Sequence, residues 1–196
     1  GSAAMQGKFI YALSVDPRDK CTIYVSDGAN IYKTIDCQRN WDLLFSETRS
    51  DQRFVALAVD NSDSKIVYGA ELGGDVFRSK DGGQSWRIIK RFNFELRHLA
   101  VDPFNSNRLY AAAYNQGLFR TDDGGETWVS AGTGFEKYND SLSFNRLVMN
   151  TAQKDSLFWI SKYGILRSND AGTTWSEIKL LTQPGSVNIY GFSFNP

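Results

Sequence analysis

Apolar positions along the chain fall into short runs divided by polar turns, and the runs come in sets of four. The first run of each set ends in an acid or its amide: IYALSVDP (10–17), FVALAVDN (54–61), LRHLAVDP (96–103) and NRLVMNT (145–151). After a polar loop comes a second: TIYVS (22–26), KIVYGAE (65–71), RLYAAAY (108–114) and SLFWISK (156–162). A glycine-bearing turn leads to the third: NIYKT (30–34), DVFRS (75–79), GLFRT (117–121) and GILRS (164–168). A fourth follows, as in WRIIKRF (86–92). Runs of this length, rich in β-branched and aromatic residues and bounded by turn formers, predict strands. No window sustains a helical period.

Between the third and fourth runs lies a conserved-looking octet within the chain itself. It reads SKDGGQSW (79–86), TDDGGETW (121–128) and SNDAGTTW (168–175), with a worn copy, TIDCQRNW (34–41), in which Gln38 replaces the glycine and Asn40 the hydroxyl. The octets end at Trp41, Trp86, Trp128 and Trp175, spaced 45, 42 and 47 residues apart. Four short strands repeating at this period predict an all-β protein built of β-propeller blades.

The octet, four times in register, resembles the box of the Asp-box (BNR) repeat propellers. That group includes sialidases, xyloglucan-cleaving glycoside hydrolases, sortilin-type receptors and photosystem II assembly factors, which share the blade and not the chemistry. The expected fold is a β-propeller of four-stranded antiparallel blades in a single domain over 9–196. It has four complete blades at about 9–50, 51–93, 94–135 and 136–183, and the first strand of a fifth at 187–196, where NIYGFSFNP repeats FIYALSVDP. Residues 1–8 read as a cloning scar and leader. Ring closure stays open between a piece of a larger propeller, a compact four-bladed ring with a spare strand, and an open arc. A short arc is favoured, with homodimerisation through its exposed blade edges.

Within the boxes, Gly83, Gly125 and Gly172 supply the backbone freedom a tight turn needs. The carboxylates of Asp36, Asp81, Asp123 and Asp170 accept bonds from nearby backbone N–H groups, and the tryptophans pack between blades. TDDGGE lacks the alternating acids and terminal glutamate of an EF-hand, so the boxes read as staples. No metal site and no cofactor is expected.

Composition narrows the partners. The chain has 22 Lys plus Arg against 22 Asp plus Glu and is 14% aromatic, so no global charge draws it to nucleic acid. No apolar run reaches the ~20 residues of a spanning helix, so no membrane insertion is expected. His98 is the only histidine, which excludes a multi-histidine metal site. Cys21 and Cys37 flank the first hairpin; a disulfide and two free thiols both remain open, and a disulfide would favour an exported or cell-envelope protein.

A ligand site is expected on the end opposite the boxes, where the resemblance places the sites of Asp-box enzymes and where the longest loops lie. The turns between second and third strands offer Asp27, Asn30, Glu71, Asp75, Tyr114, Asn115, Gln116, Lys162 and Tyr163; the longest connection, 130–145, carries Phe135, Tyr138, Asn139 and Asp140. First-strand entry positions add Tyr11, Arg97, His98, Asn145, Arg146 and Tyr190. The ligand-binding candidates are Tyr11, Arg97, His98, Tyr114, Tyr138, Asn145, Arg146, Tyr163 and Tyr190.

For catalysis, the resemblance to xyloglucanases implies Asp27 as a candidate acid, although the family's paired glycine is Gly28–Ala29 here. Glycoside hydrolysis needs a second carboxylate about 5–9.5 Å away, for which Glu71 or Asp75 could serve. The Arg-Ile-Pro signature of sialidases is absent, and Arg97 and Arg146 are two of the three arginines such a site needs. The expectation is therefore a non-catalytic scaffold recognising a protein or glycan ligand, protein slightly ahead. The alternative is a xyloglucanase-like glycoside hydrolase or a fragment of one.

Overall fold

The computed structural model describes residues 5–189, so Tyr190 and most of the 187–196 stub lie outside the described residues. Among the described residues, sixteen strands form four antiparallel sheets of four, each an up-and-down meander. The first holds β1 (Ala12–Val15), β2 (Ile23–Ser26), β3 (Asn30–Thr34) and β4 (Asp42–Ser46). The second holds β5 (Phe54–Val59), β6 (Val67–Glu71), β7 (Asp75–Ser79) and β8 (Arg87–Arg91). The third comprises β9 (Leu96–Asp102), β10 (Asn105–Ala113), β11 (Gly117–Thr121) and β12 (Val129–Ser130); the fourth β13 (Phe144–Met149), β14 (Leu157–Ser161), β15 (Ile165–Ser168) and β16 (Ser176–Ile178). These are the four blades the repeat predicts. Each fourth strand starts one residue after its box tryptophan rather than on it.

Burial explains the sequence pattern. Strands β6, β7 and β14 are buried at every position, as is β2, because a middle strand is covered on both faces. Such strands read as continuous apolar runs instead of alternating ones. The fourth strands are edges and are largely exposed, which is why their sequences are the most polar.

The chain divides into two compact units, residues 1–101 and 102–196. In the first, Tyr24 and Ile31 pack with Phe54, Leu57, Val59, Val67 and Phe77. In the second, Tyr110, Leu118, Phe135, Leu147 and Trp159 form the core. Each such side chain contributes roughly 1.5–3 kcal/mol when fully buried.

The boxes are built alike. In the second, Ser79 Oγ donates to Asp81 Oδ1 (2.7 Å) and accepts from the Gly83 N–H (2.8 Å), while Asp81 also accepts from the Ser85 N–H (2.9 Å) and hydroxyl. Thr121 with Asp123, and Ser168 with Asp170, repeat the scheme. In the worn copy Thr34 and Asp36 do the same, with Asn40 replacing the hydroxyl donor. Gln38 takes the glycine position at φ 71° and Cys37, before it, lies at φ 56°. A disulfide joins Cys21 to Cys37, which settles the open question of the thiols and fixes this strained turn to the loop before β2.

The Ser85 hydroxyl and N–H bonds hold the Asp81 carboxyl down at about 2. The Asn40 bonds do the same for Asp36.

Candidate functional site

At the end opposite the boxes, the turns between second and third strands sit beside the connections between blades. In the second unit, Gly134 at φ 93° opens a single 3-10 turn, Phe135–Lys137, within the longest connection. Phe135 drops into the core and stacks near Trp159 (4.9 Å between centroids), whose Nε1 donates to the Ser141 carbonyl (2.7 Å). Ser141 Oγ in turn donates to the Phe135 carbonyl (2.6 Å). A loop anchored at both ends in this way holds its polar residues in fixed positions.

That loop and Asn115 enclose an open cleft of about 360 Å³, bordered also by Glu136, Tyr138, Asn139 and Asp140. Asn115 is held at φ 54° by the β10–β11 turn, so its side chain is presented by a tight hairpin. The Tyr138 and Tyr163 rings meet at 5.0 Å. Lys162 pairs with Asp140 at 3.2 Å across the loops. Tyr163 donates to Glu177, whose carboxylate pushes the phenol up to about 12. The arrangement combines an aromatic pair, two amides and carboxylates, which suits a polar ligand carrying N–H or O–H donors.

Of the candidates named from sequence, the structure brings Tyr138 and Tyr163 together. Asn145 and Arg146 lie exposed at a bulge of β13, where the register shifts between Phe144 and Arg146. Tyr114 is exposed next to Asn115. In the first unit, Arg97 is exposed and pairs with Glu95 (2.6 Å), and His98 is half-buried. Tyr11 lies over Gly28, with the Arg53 guanidinium 5.2 Å above its ring.

Asp27 is fully engaged. It accepts from the Asn30 N–H (2.8 Å) and side-chain amide (3.1 Å), from Tyr32 Oη (3.2 Å) and from Lys8. Burial opposes its ionisation, yet Lys8 and Asn30 outweigh that and hold the carboxyl below its ordinary range. Lys8, set aside with the leader in the sequence, is thus part of this turn.

Sequence reasoning missed a charged hub in the first unit. Arg49, from the 45–53 connection, reaches Glu47 (2.9 Å), Glu71 (2.6 Å) and Asp75 (3.2 Å). Glu71 has no solvent-exposed side-chain surface, and its Oε1 has no hydrogen-bond partner among the described residues. Burial and the adjacent Glu47 carboxylate push Glu71 up to about 8, while Arg49 holds Glu47 down at about 2. A neutral Glu71 beside an ionised Glu47 needs one proton for the pair, which explains the opposite shifts. No repeat signals this hub, because its members are not periodic.

Among the described residues, no group of three or more His, Cys, Asp or Glu side chains could hold a metal ion. No described helix is long and apolar enough to cross a membrane.

Residues 74–179, from β7 to just past β16, match the profile of the Sortilin-Vps10 family (sortilin, neurotensin receptor 3), which is more than half of the chain. The chain belongs to the Sortilin-Vps10 family. No curated protein sequence matches it. Solved structures with the same fold divide by function. The GH74 xyloglucanase from Xanthomonas campestris is 20% identical with a TM-score of 0.68, over 91% of this chain and 31% of that one. A chain of the nidogen/laminin complex is 17% identical with a TM-score of 0.69, over 94% and 70%. YCF48 bound to D1 peptide is 14% identical with a TM-score of 0.54, over 86% and 81%. This Sortilin-Vps10 chain spans only 25% to 38% of the length of three GH74 chains. At these identities the likeness shows the blade fold, shared by hydrolases and binding scaffolds alike.

Proposed function

We propose that this chain is a non-catalytic interaction propeller that takes a protein segment in the cleft between Asn115 and residues 136–143. The observation that carries the reading is the cleft itself: the longest connection, pinned by Phe135, Ser141 and Trp159, presents amides, carboxylates and Tyr138 from a rigid base. Exposed backbone N–H groups and cationic side chains of a peptide match Asn115, Asn139, Glu136 and Asp140. Family membership, and neighbours solved with laminin and with a D1 peptide, support a protein ligand.

Two features weigh against hydrolysis. Asp27 is bonded on all sides and ionised to low pH, so it has no proton to give at neutral pH. Glu71 holds its proton to about 8, but it is buried behind Arg49 and cannot touch a sugar. The Tyr138–Tyr163 pair favours one second reading, a glycan stacked on the rings.

The test presents the protein with an immobilised random peptide library and with soluble xyloglucan, mixed-linkage glucans and sialylated glycans. The expected result is selection of a peptide set whose binding falls at least about tenfold in Tyr138→Ala. Retention on a glycan without cleavage would replace the ligand class. New reducing ends that vanish in Asp27→Asn would overturn the reading in favour of a hydrolase.

A further inference from the structure

The turn that joins β14 to β15 is stapled on both sides. Its Lys162 N–H donates to the Ser143 carbonyl of the cleft loop (3.0 Å), and its Tyr163 carbonyl accepts from the Gly185 N–H (3.0 Å). Gly185 belongs to a strap, residues 179–187, that follows β16 and comes back to this turn. The strap is shaped by its own sequence. Gln183-Pro184-Gly185-Ser186 puts proline and glycine at the two central positions of a tight turn, with Gly185 at φ 77° and the Ser186 N–H donating to the Gln183 carbonyl (3.1 Å). Proline second and a left-handed glycine third is the pattern a type II turn requires. The Ser186 hydroxyl adds a second bond to the same carbonyl (2.5 Å).

Between the strap and the β15–β16 hairpin runs a second groove, of about 240 Å³, bordered by Tyr163, Gly164, Glu177, Ile178, Leu180 and Pro184. Tyr163 Oη donates to Glu177 (2.5 Å), so the polar ends of these two walls are already matched to each other. Ile178, Leu180 and Pro184 make the remainder apolar. The strap also leaves apolar surface uncovered here: Leu180 is 38% exposed and the adjoining Leu181 fully exposed. Exposed apolar surface at a concave site marks where another molecule packs. The groove and the cleft meet at the tyrosine pair. Tyr138 borders the cleft, Tyr163 borders the groove, and their rings are 5.0 Å apart. The two hollows are therefore adjacent, polar on one side of the pair and apolar on the other.

We propose that the groove is the apolar half of the cleft's ligand site, and that its occupant is a peptide segment with a basic side chain for the cleft and an apolar one for the groove. The inference rests on the cleft reading above and specifies its ligand. Glu136 is exposed, and Asp140 keeps half of its side chain exposed (51%) although it pairs with Lys162, so both carboxylates can meet a cation. The groove has room for a side chain of Leu, Met or Phe size. An extended chain advances about 3.3 Å per residue, and hollows that meet at rings 5.0 Å apart set the two side chains about two to four residues apart. A glycan offers hydroxyls along its whole rim and gains little from Ile178, Leu180 and Pro184. A peptide places unlike side chains in neighbouring hollows, which is what this surface asks of a ligand.

The test uses the intact chain and a peptide selected by wild type whose binding falls in Tyr138→Ala. Titration calorimetry with single-alanine versions of that peptide is expected to find one apolar residue whose replacement weakens binding about tenfold or more. Leu180→Asp should weaken the parent peptide to a similar extent and be indifferent to that replacement, because both changes remove one contact. Replacing the peptide's basic residue should weaken its binding to both proteins alike. Melting curves check that Leu180→Asp is folded, and Pro184→Asp, also at an exposed position, is the second variant. If Leu180→Asp and Pro184→Asp bind the peptide like wild type, the groove is overturned and the cleft reading stands. If no peptide is selected, or the selected ones bind Tyr138→Ala unchanged, the cleft reading fails and the groove with it. Retention of xyloglucan or a sialylated glycan that falls in Leu180→Asp would overturn the peptide as occupant.

Discussion

The two ends of each blade obey different rules. At the box end, four turns repeat one scheme of bonds with Ser or Thr, Asp and a left-handed residue, even where Gln38 and Asn40 have replaced the usual side chains. At the opposite end no two blades agree. One presents Asp27 tied to Lys8, the next an arginine among three carboxylates, and the others a tyrosine pair and an amide-lined cleft. Chemistry that repeats with the fold belongs to the fold. Chemistry that varies on a constant frame is where a ligand is selected.

The comparison predicts that the deepest damage comes from the support beneath the variable end. Trp159→Ala removes a fully buried indole and its bond to Ser141, and should cost about 3–5 kcal/mol in denaturant melts and abolish ligand binding with it. A Trp159→Ala protein with unchanged stability would detach the cleft loop from the core. Next comes the box end. Cys21→Ala with Cys37→Ala opens a link between residues 16 apart, with an expected loss of roughly 3 kcal/mol and no effect on ligand affinity.

A smaller effect separates the ends by pH. Glu71 holds its proton more tightly in the folded chain, up to about 8 against an ordinary 4.5. Its contribution is complete below about 4.5 and is lost as pH rises through about 8, so stability should decline over that window. Glu71→Gln should flatten the decline, as read by Tm against pH. The aspartates of the first two boxes act in the opposite direction. Asp36 and Asp81 titrate near 2, so their contribution is present above their unfolded value and lost as pH falls toward 2. The smallest expected effect is that of Asn139→Ala, an exposed position on the cleft. It should change stability by less than about 0.5 kcal/mol while weakening the ligand, a separation that no box variant can reproduce.

This division also explains what could be read from the sequence. The boxes, the blade count and the order of strands were legible because each signal occurs four times, and a worn copy can be recognised beside three good ones. The cleft was legible only as the longest connection, with Tyr138, Asn139 and Asp140 in it. That Tyr138 would meet Tyr163, or that Asn115 would face Asn139, depends on how two hairpins are packed. Local patterns carry no such information. Asp27 was a catalytic candidate only through the resemblance to xyloglucanases; the Lys8, Asn30 and Tyr32 contacts around it are set by folding and no local pattern shows them. The Arg49 hub joins residues 22 and 26 apart with no repeated counterpart, so nothing in the chain announced it.

The most direct test of the central claim is backbone amide chemical-shift mapping with a peptide selected by the wild-type protein. The account predicts shifts at Asn115, at 136–143 and at Tyr163, with the four boxes unmoved. Shifts concentrated at Asp36, Asp81, Asp123 or Asp170 would contradict it, placing the ligand on the end taken here to be structural.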